Sequence, residues 1–135
     1  MQPATASGKP QTPGPTLEQF EALAFAVETF DHAAHVYVAW RYLQHHDLYE
    51  SIGRYRSVLR RLTETRGIPG KYNETITWFF LTAVSERLPG SDNNDWTTFR
   101  EQHPELLADS AAFLRRFYST ARLASDSAKK GIPFT

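Results

Sequence analysis

Asp31-His32-Ala33-Ala34-His35-Val36-Tyr37-Val38-Ala39-Trp40 carries two histidines through a run of apolar residues. Wound as a helix at about 100° per residue, it places His32 within roughly 40° of Val36, Ala39 and Leu43, while Ala34, Arg41 and His45 fall on the far side. His35, Tyr42 and His46 share one flank. An imidazole among aliphatic neighbours costs free energy unless a partner satisfies it, so this stripe is where chemistry would sit if the chain has any.

Helical signals continue on both sides. Asp31 is placed to cap this helix, which runs to about Gln44. Upstream, Thr16-Leu17-Glu18-Gln19 matches a capping box, which predicts a first helix that turns Phe20, Leu23 and Val27 inward and ends or bends near Thr29. Downstream, Ile52, Tyr55, Leu59 and Leu62 recur at three- and four-residue spacing between Glu50 and Thr65, predicting a third helix. Gly67-Ile68-Pro69-Gly70 breaks it.

Ile76, Phe80, Ala83, Val84 and Leu88 share a face of a fourth helix over 73–88, which Pro89-Gly90 ends and a polar turn over 92–95 follows. Trp96, Phe99 and the Pro104-Glu105-Leu106-Leu107 step predict a short helix and another after it, with further helical stretches over 111–118 and 120–129. No segment alternates as a strand does. The expected architecture is all-α: a single-domain bundle of about five or six helices over 16–135. Residues 1–15, with Pro3, Pro10, Pro13 and Pro15 among Gly, Ser, Thr and Gln, are expected to form a disordered tail.

Composition narrows the function classes. The chain has 135 residues, 15 Lys and Arg against 15 Asp and Glu, so no global charge draws it to nucleic acid or anionic lipid. Cysteine is absent, which leaves no disulfide, thiolate ligand or cysteine nucleophile, and any metal would have nitrogen and oxygen ligands. The amino terminus lacks the basic and apolar runs of a secretory signal, and no stretch reaches the ~20 apolar residues of a membrane span. A cytoplasmic protein without a nucleic-acid or membrane partner is the expectation.

On the fourth helix Asn73 and Thr77 fall on the arc of Phe80 and Val84, with Glu74 at its edge beside Trp78 and Leu81. If the second and fourth helices pack together, His32 and His35 meet Asn73, Glu74 and Thr77. Three readings fit such a meeting. In the first, His32, His35 and Glu74 ligate a divalent metal and leave positions open for substrate. In the second, a histidine acts as general acid or base oriented by Glu74, with Tyr42, Tyr72, Asn73 and Thr77 positioning a polar substrate. In the third, His32 simply donates to a backbone carbonyl or to Glu74, and Asn73 merely caps its helix. Arg54, Arg56, Arg60 and Arg61 read as a solvated face, and Trp40, Trp78 and Trp96 as core.

Phe30-x-His32-x-x-His35-x-x-x-Ala39-Trp40-x-Tyr42-Leu43, then Lys71-Tyr72-Asn73-Glu74-Thr75-Ile76-Thr77 and the late Tyr118-Ser119-x-x-x-Leu123-x-Ser125, resemble a group of small bacterial all-helical proteins of unassigned activity. The resemblance spans roughly 17–135, and its paired first two motifs are fairly specific. In that group the position matching Asn73 is commonly His. An Asn there replaces an imidazole poorly as a metal ligand and reasonably as a hydrogen-bonding group, so the resemblance implies a site at this place and no particular substrate.

The leading expectation is thus a small enzyme acting on a small organic molecule by lyase-, hydratase- or isomerase-like proton transfer, with or without a divalent metal. His32, His35 and Glu74 would do the chemistry. The alternative is a non-catalytic helical module that binds a small molecule or pairs with a second copy as a homo-oligomer.

Overall fold

The computed structural model describes residues 13–89, 95–108 and 110–130, except for the side chains of Thr120 and Ser127. Among them are eight α-helices: α1 (Leu17–Glu21), α2 (His32–His45), α3 (Leu48–Thr65), α4 (Glu74–Arg87), α5 (Trp96–Gln102), α6 (Ser110–Arg115), α7 (Thr120–Ala124) and α8 (Asp126–Lys130), with no strand. The all-α expectation holds, with more and shorter helices than foreseen.

Local capping sets most of the boundaries. The Thr16 hydroxyl accepts from the Gln19 N–H at 3.0 Å and the Gln19 side chain returns the bond to Thr16 N–H at 3.0 Å. Asp31, Asp47, Asn73 and Asp95 each accept from an amide three residues on, opening α2, α3, α4 and α5. Helix α1 stops at Glu21, well before Thr29, because the chain reverses at Leu23 with φ 56°. Ala24 N–H bonds back to Gln19 C=O and Leu23 N–H to Phe20 C=O, a Schellman closure built on a leucine. Helix α3 ends in the same closure with Gly67 at φ 73°, where the left-handed backbone is free of Cβ strain.

Helix α4 is the axis of the bundle and packs against α2, α3 and α8. Its apolar residues consequently go nearly all the way round: Leu81 is as buried as Val84, although the helical projection put it at an edge. Phe20, fully buried, is ringed by Phe25, Phe30, Tyr42 and Tyr55 at centroid distances of 5.3 to 6.1 Å. A second aromatic box joins α2 to α5 through Tyr37, Trp40, Trp96 and Phe99. Trp78 departs from the expected core role and is 42 % exposed.

The C-terminal helices are tied to the start of α4 by side chains that satisfy their carbonyls. Asn73 Nδ2 donates to Leu123 C=O at 2.6 Å, and Thr75 Oγ1 to Ala128 C=O at 2.6 Å. The helix expected over 120–129 is broken at Ser125, whose hydroxyl donates to Arg122 C=O and accepts from Ala128 N–H. Of the expected tail, residues 1–12 lie outside the described residues. Pro15 is buried, and Gly14 sits where an added Cβ would come 3.2 Å from the Tyr37 ring. None of the described helices is long and apolar enough to cross a membrane.

Candidate functional site

Helices α2, α3 and α4 enclose a cleft of about 280 Å³ whose walls are Phe30, Val36, Ala39, Tyr55, Leu59, Ile76 and Phe80 and whose polar groups are Asp31, His32, His35 and Thr77. Both histidines are half-buried at the first turn of α2. Each spends one ring nitrogen on a backbone carbonyl. His32 Nε2–H donates to Leu106 C=O at 2.8 Å, and His35 Nδ1–H donates to Asp31 C=O at 2.8 Å. A carbonyl only accepts, so in the neutral rings these bonds fix the tautomers and leave a lone pair on His32 Nδ1 and on His35 Nε2.

Neither of those nitrogens has a hydrogen-bond partner among the described residues. The rings are clamped by aromatic neighbours: His35 lies 4.1 Å from the Phe30 ring and His32 meets Phe80 edge-on at 4.8 Å. Tyr55 OH donates to His35 C=O at 2.9 Å and ties α3 to this turn. Burial lowers the His35 pKa below 6.5, any charge on the neighbouring His32 acts in the same direction, and the Asp31 carbonyl and carboxylate only partly oppose it. His35 is therefore neutral at pH 7, an acceptor in an apolar cleft.

Glu74 does not join them, which corrects the expected constellation. Helix α4 sits between α2 and α3, and the step from Thr77 back to Glu74 rotates the carboxylate from the α2 side to the α3 side. There Glu74 is 7 % exposed and accepts from Arg56 Nε at 2.8 Å, Trp78 Nε1 at 2.9 Å and Tyr72 OH. Burial opposes its ionisation, but the donors Tyr72, Trp78 and Arg56 together outweigh that and hold the pKa below the usual carboxylate value. A carboxylate with this shell has little basicity to offer.

The metal set His32, His35 and Glu74 is consequently not assembled, and among the described residues no three His, Cys, Asp or Glu side chains gather at metal-binding distance. Tyr42 is also elsewhere: its hydroxyl donates to Glu21 at 2.8 Å inside the Phe20 cluster, where burial and that carboxylate raise its pKa. Tyr72 donates to Glu74 and lies within hydrogen-bonding reach of Thr77, but does not line the cleft itself. Asn73 has both side-chain groups engaged, Oδ1 with Ile76 N–H and Nδ2 with Leu123 C=O, and does not line the histidine cleft. Of the seven candidates, His32, His35 and Thr77 converge; Thr77 Oγ1 donates to Asn73 C=O at 3.0 Å and can still accept.

Tyr55, Leu59, Phe80 and the Leu106 carbonyl complete the histidine environment beyond the residues that the sequence nominates. Tyr55 and Leu59 carried a signal, since both belong to the inward stripe of α3; the Leu106 carbonyl carried none. No family model, curated protein or solved structure matches the chain.

Proposed function

We propose that this chain is a cytoplasmic small-molecule-binding protein whose α2/α3/α4 cleft takes a mostly apolar molecule bearing one hydrogen-bond donor, received by His35 Nε2. The observation that carries this reading is the Nδ1–H bond of His35 to the Asp31 carbonyl, which leaves Nε2 as a lone pair within an aromatic and aliphatic lining. The volume suits a fragment at or just below the lower end of ligand pockets, roughly 300 Å³.

The test compares 4-methylphenol with toluene, which match in shape and differ in one hydroxyl. A net hydrogen bond of about 1 kcal/mol gives the phenol an advantage of about fivefold, which His35→Leu removes while leaving toluene affinity in place. Equal affinities in the native chain, or no effect of His35→Leu, overturn the reading.

Proton transfer at the same nitrogen is a second reading, favoured by the lowered His35 pKa, which keeps the base unprotonated at neutral pH. It is tested by α-proton exchange of cyclohexanone in deuterated buffer: acceleration by the native chain and loss in His35→Leu support it, and a rate equal to buffer refutes it.

A further inference from the structure

On the opposite side of α4 from the histidine cleft, a second and larger groove of about 850 Å³ runs along α4 and α6, within the volume range of on the order of 300–1,000 Å³ that organic ligands occupy. Its wall is aromatic. Phe79 lies 5.4 Å from Phe113, 5.3 Å from Phe117 and 6.1 Å from Tyr118, ring centre to ring centre. Trp78 and Phe117 line it at 42 % and 59 % exposure, so two of the most exposed large apolar side chains among the described residues meet here. Apolar surface gathered in this way marks a binding face.

The charges of the groove say what it would bind. Two of its acids are already engaged: Glu74 holds Arg56, and Glu105 holds Arg87 at 2.7 Å. Two cations are not. Arg116 is exposed and lies over the Phe113 and Phe117 rings at 5.6 and 5.9 Å, with no carboxylate partner among the described residues, and Lys130 is exposed and likewise without one. Against them stands Glu86 alone. Stacking on two rings restrains the guanidinium beside an apolar wall, where a planar carboxylate can be met by parallel N–H donors.

We infer that this groove is a binding site for an aromatic carboxylate, its ring system packed against Trp78, Phe79 and Phe117 and its carboxylate on Arg116. The site is separate from the histidine cleft and shares no lining residue with it. Lys130 adds long-range attraction, and Arg116 supplies the direct bond.

The experiment titrates the full chain with 2-naphthoate and with 2-naphthylmethanol, which keeps the rings and lacks the charge, by calorimetry and by NMR of the Trp78 indole N–H. The expected result is naphthoate binding about tenfold tighter than the alcohol, with the Trp78 resonance shifted in both. Arg116→Gln brings the acid down to the alcohol's affinity and leaves the alcohol unchanged, and Arg116→Lys restores part of the difference. Equal affinities in the native chain, insensitivity to Arg116→Gln, or shifts confined to the histidine cleft overturn the inference. So does binding that appears only when residues 131–135 are removed, because that segment would then be the occupant of the groove.

Discussion

Glu74→Gln isolates the energetics of the one buried carboxylate among the described residues. In the native chain three donors converge on it: Tyr72 OH, Trp78 Nε1 and Arg56 Nε. An amide of the same shape keeps one acceptor oxygen for Arg56 and Trp78 and turns its NH₂ to the Tyr72 hydroxyl, which can accept, so the bonds can survive while their charge assistance is lost. Bonds to charged groups contribute about 1.5–3 kcal/mol each, and the Arg56 share is discounted because that side chain is 35 % exposed. Neutral bonds contribute about 1 kcal/mol less apiece, so the expected loss is about 1–3 kcal/mol at pH 7, against a total of about 5–15 kcal/mol for a domain of this kind, and the variant still folds.

The pH dependence has a definite sign. Glu74 has a folded pKa below its unfolded value of about 4.3, so its contribution is fully present above that value and is lost as pH falls from there through the folded pKa. Urea denaturation of both proteins from pH 7 to pH 3 reads this directly. The other carboxylates titrate alike in the two chains, so the difference belongs to Glu74, and the gap between native and variant narrows below about pH 4.3. Equal stability at pH 7, or a gap that stays constant down to pH 3, refutes the three-donor account.

Other expectations follow from named contacts. Asn73→Ala removes the α4 cap and the bond to Leu123 C=O and should cost about 2 kcal/mol, whereas Asn73→Asp keeps the cap, loses the donor to Leu123, and should fall between native and alanine in a denaturation series. At Leu23, whose φ is 56°, glycine should be more stable than alanine by about 1 kcal/mol, the reverse of the order in a helix; alanine at or above glycine contradicts the left-handed closure. Phe20→Ala empties the ring cluster of α1, α2 and α3 and should cost about 3–5 kcal/mol, lowering the melting temperature by far more than a truncation of exposed Tyr49.

What the chain revealed before folding was what neighbouring residues decide among themselves. Thr16 with Gln19, Asp31 with Ala34 and Asn73 with Ile76 are bonds across three positions, and each is legible from residue type and spacing. The third reading of the site was partly visible as well: His32 does donate to a backbone carbonyl, and Asn73 does cap α4. The meeting of His32 and His35 with Thr77 needed only the pairing of two apolar faces.

Glu74 and Tyr42 went astray because a projection of one helix says which residues share a face and not which neighbour that face meets. With α4 wedged against both α2 and α3, the Glu74 edge found Arg56, one of four arginines read as solvated, and Tyr42 found Glu21. The leucine closure at Leu23 is illegible for a related reason: it is a backbone choice made by packing around Phe20, and no local preference of leucine announces it. The break at Ser125 does have a local signal, since serine is a preferred N-cap and its hydroxyl accepts from Ala128 N–H three residues on, but the apolar spacing over 120–129 masks it.

The proposed binding role needs His35 as a neutral imidazole protonated on Nδ1, with its Nε2 lone pair in the α2/α3/α4 cleft. Long-range ¹H–¹⁵N NMR of the histidine rings at pH 7 reads that state atom by atom. The expected spectrum shows a pyrrole-type Nδ1 and a pyridine-type Nε2 for His35, a titration midpoint below 6.5, and a shift of Nε2 when 4-methylphenol is added. A proton on Nε2, or a charged ring at pH 7, contradicts it.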